Sequence, residues 1–486
     1  MQPTTENPLT PSAVRGIGTA DCLAYGLPAV FLGAIGTTYY VFLPKFYADT
    51  IGLPLGFLGL IVLLSRFWDA VTDPLIGQLS DRSRSRFGRR RPWLLAGGLP
   101  LAITFAAVCM PPAAASSAFA GWWFAVTTFL LFFFWTIIVV PYEALGAELT
   151  FVYDQRNRLF ACREGGMLLG TVVAAVLPVL IIRWLPADSL PALAQRLQFR
   201  ILGVVYALGL LPALLLAVSR LRELRLTAAQ MPPRFSVFAV LELLRNRPFR
   251  ILLLAYTVSA LGSQLPATLV LFFVEQVLGS PHGALFLLLY LLVGLCGVPF
   301  WVRLARHTDK RPAWIAAMAV NTVAFAGVLM LGHGDTVWYA VLITISALGL
   351  GGTLVLPASM EADVIDTDEL QTGWRREGLF SGVWSISRKL AAALGAATGL
   401  AVLGWCGYVA GGAQPQPPGA LLALRLLYAG VPCLCNALAI LLAWRYPLTR
   451  AAHQEIRRQL AVAAPDRSSM GTESEPGVAP EQQGVS

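Results

Sequence analysis

Long apolar runs follow one another along almost the whole chain, and they constrain its fold more than any other feature. Twelve can be drawn, at about residues 22–47, 54–80, 92–112, 119–146, 158–183, 199–219, 248–276, 283–305, 312–332, 336–360, 377–408 and 418–446. Each is long enough to cross a hydrocarbon core of about 30 Å as a helix. With 56% hydrophobic and 13% charged residues over 486 positions, the chain has too little charge to cover soluble domains. The runs do not alternate in polarity, so helices rather than barrel strands are expected. The first 20 residues are polar and lack an apolar h-region, so no cleavable signal is expected.

Basic residues fix the expected orientation. The loop after span 2 carries Arg82, Arg84, Arg86, Arg89, Arg90 and Arg91, and the loops after spans 4, 6, 8 and 10 add more. The opposite loops, such as "PPAAASS" and "GHGDT", have almost none. The bias predicts that both termini are cytoplasmic, in an integral protein of the cytoplasmic membrane. The net charge of +9 is scattered over short loops, which speaks for topology and against a nucleic-acid partner. Seven cysteines lie mostly inside apolar runs without metal spacing, and read as small core residues. No nucleophile–base pair or phosphate loop is visible, so neither an enzyme nor a cofactor is expected.

The polar stretch "RELRLTAAQMPPRFSVFAVLELLRNRP" divides the chain into two sets of six spans. "DPLIGQLSDRSRSRFGRRRPW" after span 2 has a shorter echo, "VPFWVRLARHTDKRPAW", after span 8. Two six-helix halves related by a parallel repeat predict the major facilitator fold, with its site at mid-depth between the halves. The expected organisation is a cytoplasmic segment over 1–20, an N-terminal half over 21–221, a central cytoplasmic loop over 222–247, a C-terminal half over 248–447 and a cytoplasmic tail over 448–486. The tail is Ser-, Glu-, Gly- and Pro-rich from about 455 and reads as disordered.

Asp69 and Asp73 interrupt span 2 four residues apart, on one helical face. A charge at mid-membrane costs about 3 kcal/mol, and two like charges cost more. A bound cation, a shared proton or a buried base must offset that, and Arg66 one turn earlier is a purely structural alternative. Lys389 in span 11 is the expected counter-charge. Pro141 breaks span 4, after which Glu143 and Glu148 face Arg156, Arg158, Arg163 and Glu164 at the start of span 5. These charges are expected to close the cytoplasmic side, with Arg163 alternatively reaching the cavity. Asp81, Arg82 and Arg89 complete the expected cytoplasmic gate.

The stretch "WDAVTDPLIGQLSDRSRSRFGRRRPW" resembles the signature of the glycoside–pentoside–hexuronide:cation symporter family. "MEADVIDTDELQTGWRREGLFSGVWSISRK" is similar to that family's loop after helix 10 and its helix 11. The resemblance implies a cation site at Asp69 and Asp73 with Thr136, a helix-11 lysine at Lys389, and an arginine near the sugar at Arg163. Tyr39, Tyr40 and Trp135, with Trp384 in span 11, are candidates for contact with the substrate. The chain departs from the pattern at Gly33 and Val139, where the family's best-known member has two further aspartates on helices 1 and 4. Their loss removes hydroxyl acceptors and leaves H+ as apt a coupling ion as Na+.

The expected protein is a monomeric symporter in contact with membrane lipid. It binds a sugar, a glycoside or an amphipathic solute between spans 1, 2, 4, 5, 8, 10 and 11. A transporter or flippase of lysolipids on the same fold is the alternative, and a membrane sensor that has lost transport is a further rival.

Overall fold

The computed structural model describes residues 17–470 except 84, 113–115, 150–152, 185–190, 222, 224–241, 373–375 and 410–415. Among these residues every regular element is helical. The first six long helices are α1 (Thr19–Thr50), α2 (Leu55–Arg82), α3 (Arg91–Cys109), α4 (Ser117–Glu148), α5 (Tyr153–Trp184) and α6 (Pro191–Arg220). The second six are α7 (Arg247–Gln276), α8 (Gly283–His307), α9 (Lys310–Val328), α10 (Thr336–Thr372), α11 (Glu377–Trp405) and α12 (Pro418–Trp444). Eleven are long and apolar enough to cross a membrane, and the 19-residue α9 is the twelfth. A further helix, α13 (Arg450–Met470), follows them. It covers the first part of the tail expected to be unstructured from about 455, since "RAAHQEIRRQLAVAA" is rich in helix formers and His453 docks on α10 through Asp366 at 3.0 Å; residues 471–486 of that tail lie outside the described residues. Most of the expected central loop lies outside the described residues.

The principal helix pairings recur six helices apart. In the first half α1 packs on α5 and α6, α2 on α4, and α3 on α4 and α6. In the second half α7 packs on α11 and α12, α8 on α10, and α9 on α10 and α12. The parallel repeat read from the arginine loops is therefore a repeat of packing. The principal contacts across the halves are α1 with α7, α2 with α11 and α5 with α8.

Small residues set the closest of these approaches, as expected where apolar side chains gain nothing over lipid. Gly26 and Gly33 on α1 face Gly166 and Gly170 on α5. A Cβ at Gly33 would stand 2.3 Å from the Met167 carbonyl oxygen. The space beside Gly33 is thus filled by the backbone of α5. Prolines shape the two helices that end nearest the cavity. Pro44 and Pro432 have no N–H to donate to the preceding turn. The turns just before them, Thr38–Phe42 in α1 and Leu426–Gly430 in α12, widen to i→i+5 geometry. Tyr39, Tyr40 and Tyr428 all stand on those widened turns and belong to the cavity wall.

Candidate functional site

A cavity of about 540 Å³ lies between the halves. Its wall draws on α1, α2, α4, α5, α8, α10 and α11, and also on α7, α9 and α12. On the side away from the termini the halves meet closely. A Cβ at Gly59 of α2 would be 2.9 Å from the Ala397 carbonyl oxygen of α11. Lys45 at the end of α1 bonds Asp49 on its own helix and reaches Glu275 on α7 at 2.8 Å. Its ammonium also lies 5.2 Å from the centroid of the Phe272 ring.

The two acids of α2 do not share a partner. Asp73 receives Lys389 Nζ on Oδ2 at 2.6 Å and the Thr136 hydroxyl on Oδ1 at 2.8 Å. The lysine comes from the other half of the molecule, so this ion pair spans the seam between the halves. Asp69 receives Arg66 Nη1 on Oδ2 at 2.7 Å. The Arg66 guanidinium sits over the Phe132 ring, 3.7 Å from its centroid, and 5.4 Å from that of Tyr40. Asp69 Oδ1 and Arg66 Nε and Nη2 are buried without a hydrogen-bond partner. The paired carboxylate expected to hold one ion is therefore two adjacent ion pairs. The cause is Arg66, which turns back along α2 onto Asp69.

The other expected residues divide by position. Tyr39, Tyr40, Trp135, Gly33, Val139 and Glu143 belong to the cavity wall. The Tyr39 hydroxyl donates to Thr128 at 3.3 Å. Thr136 is buried behind the wall, against Asp73. Arg163 stands beside Glu143 at 3.3 Å and Glu164 at 2.6 Å, which joins α5 to the end of α4. Trp384 stacks on Tyr256 with ring centroids 4.0 Å apart, inside a second apolar cluster with Phe249 and Met360. Packing explains Trp384 without a ligand. The side chains of Asp81 and Glu148 lie outside those described.

At the terminus-bearing face, Arg82 is exposed. The backbone N–H groups of Arg89, Arg90 and Arg91 converge on the carboxylate of Glu223, the last two at 2.9 and 2.7 Å. Gly88 allows this with a φ of +108°, a conformation that favours glycine. An anion against the first N–H groups of α3 is well placed by the helix dipole. Arg90 also donates to Ser80 at 2.6 Å, tying the end of α2 to the start of α3. In the second half Lys310 binds Asp363 at 2.6 Å. Arg376 donates to Asp368 at 2.7 and 2.9 Å, hydrogen bonds that raise its pKa further.

Sequence reasoning missed the polar lining of the second half. Ser259 donates to Asn436 at 2.9 Å, Asn436 to Asn321 at 3.0 Å, and Asn321 to Ser346 at 2.8 Å. Tyr339 and Tyr428 join hydroxyls at 2.7 Å. The available signal was a single amide inside each apolar run, "AVNTVAF" and "CLCNALAI", since an uncharged buried amide also needs partners.

Comparison with known proteins bears on the family and the fold. The family model described as MFS/sugar transport protein matches residues 24–450. An uncharacterized symporter from Synechocystis is 28% identical, over 90% of this chain and 96% of its own. A putative glycoside/cation symporter from Escherichia coli is also 28% identical, over 90% and 94%. Among solved structures, the xylose transporter of E. coli in a partially occluded inward-open conformation superposes with a TM-score of 0.57 at 14% identity. That match covers 89% of this chain and 97% of the transporter.

Proposed function

The chain belongs to the MFS/sugar transport protein family and is a membrane transporter, not an enzyme; from that premise we propose that it couples the movement of H+ or Na+ to uptake of a sugar or glycoside by alternating access. The observation that carries this reading is the Asp73–Lys389 ion pair, which links the halves. With no ion on Asp73, Lys389 holds α11 to α2. A proton on Asp73 abolishes its charge, and Na+ competes with the ammonium for the same oxygen, with the Thr136 hydroxyl as a further ligand. Either event frees Lys389 and lets the α2–α11 seam rearrange, so ion and substrate cross in one rocking cycle. The likeness to a putative glycoside/cation symporter of Escherichia coli supports both the substrate class and the coupling.

The terminus-bearing face is assigned to the cytoplasm on the arginine bias of its loops. The Lys45–Glu275 pair and the glycine contact of α2 on α11 then close the outer side.

Uptake into proteoliposomes tests the proposal, with a panel of glycosides and lysolipids and imposed H+ or Na+ gradients. Accumulation of a glycoside driven by one gradient, and lost in Asp73→Asn, is the expected result. Lysolipid movement without a gradient, unaffected by that substitution, would overturn it.

A further inference from the structure

The cavity wall differs between its two sides. Among the described residues its charged side chains all stand on α2, α4 and α11, as Arg66, Asp69, Glu143, Arg388 and Lys389. The stretch contributed by α7, α8, α9, α10 and α12 carries none. We infer that this uncharged stretch is a second subsite, which takes the aromatic aglycone of a glycoside while the sugar ring stays against the charged side; this rests on the transport reading above and narrows its substrate class.

The groups that would meet the aglycone are open to the cavity. On α7 Ser263 is exposed, and Gln264 and Ala267 are half-buried. Phe286 and Tyr290 of α8 and Asn321 of α9 are half-buried as well. Among the described residues no other side chain hydrogen-bonds the Gln264 amide. Its carbonyl and its NH2 group both remain for a ligand.

The same stretch is held in place by its own contacts. The chain of hydrogen bonds from Ser259 through Asn436 and Asn321 to Ser346 ties four helices together. Phe286 meets Tyr339 edge to face with ring centroids 5.0 Å apart, and Phe325 lies 5.8 Å from Tyr428. The hydroxyls of Tyr339 and Tyr428 join these two pairs at 2.7 Å. A wall already ordered in this way asks little further ordering of a ligand that packs on it.

The chemistry of the wall selects the occupant. A charged group placed there finds no counter-charge on any of the five helices. A second sugar ring would bring several hydroxyls, and each one left without a partner is costly. The amides of Asn321 and Asn436 already donate to Ser346 and to Asn321, so few partners are left for it. An alkyl chain avoids that demand but has rotatable bonds to freeze. A planar aryl ring brings apolar area and packs on Phe286 and Tyr290. One polar substituent on it is met by Gln264. The cavity volume of about 540 Å³ falls within the range of about 300–1,000 Å³ that encloses drug-sized ligands, which leaves room for a sugar and an aryl group together.

The test measures equilibrium binding to purified full-length protein and gradient-driven accumulation in proteoliposomes. The probes are β-D-glucopyranosides, β-D-galactopyranosides and β-D-xylopyranosides with methyl, phenyl or 4-hydroxyphenyl aglycones, together with cellobiose. For the sugar bound best, the wild type should hold the phenyl glycoside about tenfold tighter than the methyl glycoside, from the apolar area buried. The 4-hydroxyphenyl glycoside should bind tighter still. Ala267→Phe fills the subsite and should bring the phenyl-to-methyl affinity ratio down toward one, whereas a purely structural fault weakens both glycosides alike and leaves the ratio unchanged. Gln264→Leu keeps the volume and should erase the gain of the 4-hydroxyphenyl over the phenyl glycoside without erasing that of phenyl over methyl. Equal wild-type affinity for methyl and phenyl glycosides, or tightest binding of cellobiose, would overturn the inference, and gradient-driven accumulation of the methyl glycoside would then leave the transport reading intact. An unchanged ratio in Ala267→Phe would overturn it equally. Preference for aryl glycosides without any gradient-driven accumulation would uphold the subsite and overturn symport. Failure of the wild type to bind any probe would overturn both readings.

Discussion

Lys389 and Asp73, 316 positions apart in the chain, meet at 2.6 Å across the boundary between the two halves. Their side chains are 31% and 24% exposed, so the pair is neither a surface ion pair nor a fully desolvated one. Removing one partner leaves a charge facing a wet, confined site. Lys389→Met is expected to lower stability by roughly 1–3 kcal/mol. The double variant Asp73→Asn/Lys389→Met recovers most of that, while neither regains gradient-driven accumulation. Thermal melting in detergent, run beside transport assays, checks both parts.

The Lys45–Glu275 pair joins α1 to α7 on the face opposite the termini. Glu275→Gln removes one attraction that favours the conformation closed on that side. The partly exposed pair contributes about 0.5–1 kcal/mol, so the ratio of closed to open forms should fall about two- to fivefold. Distances between spin labels on the outer ends of α1 and α7 would report it. An unchanged distance distribution would show that the glycine seam of α2 and α11 holds that side alone.

Gly33 and Val139 sit differently, although the resemblance implies an acid at both positions. Gly33→Asp places a Cβ 2.3 Å from the Met167 carbonyl oxygen and should destabilise the fold by about 1–3 kcal/mol or more through overpacking. Val139→Asp projects into the cavity wall and should be tolerated at a smaller cost. Expression yield and melting temperature of the two variants decide the matter. Equal loss in both would contradict the closeness of α1 to α5.

Glu223 and Gly88 make a matched pair at the start of α3. Glu223→Ala removes a carboxylate that accepts from three backbone N–H groups and should cost about 1–2 kcal/mol. Gly88→Ala should cost at least as much, because its φ is +108° and its Cβ would stand 2.6 Å from the same carboxylate. Protease sensitivity of the loop between α2 and α3 should rise in both variants. Arg86→Ala, which leaves that cap in place, serves as the reference.

Much of the architecture was legible because membrane helices declare themselves by length and apolarity. The twelve spans, the division after span 6 and the counter-charge role of Lys389 all follow from where the chain places or withholds charge. The local pairing of Arg66 with Asp69 was harder to read. An i,i+3 contact and a shared ion site look the same in sequence, and the outcome depends on Phe132 holding the guanidinium in place. Trp384 illustrates the opposite difficulty. An aromatic near a cavity-facing lysine suggests a ligand, but Tyr256 on α7 already covers its ring. The amides Asn321 and Asn436 were fainter for a different reason. They carry no charge, so each shows only as a single amide in an apolar run until four helices bring them together with Ser259 and Ser346.

The recurrence of helix pairings six apart concentrates compliance in the molecule. Every principal seam inside one half has its twin inside the other, and at Gly26, Gly33, Gly166 and Gly170 the seam of α1 with α5 brings backbone against backbone. Each half is therefore a stiff plate. Three joints connect the halves, α1 with α7, α2 with α11 and α5 with α8; an ion pair crosses each of the first two, from Lys45 and Lys389, and glycine packing also holds α2 on α11. The two charges that cross between the halves, Lys45 and Lys389, therefore sit where a change of charge acts on the packing between the halves and leaves the packing within each half untouched.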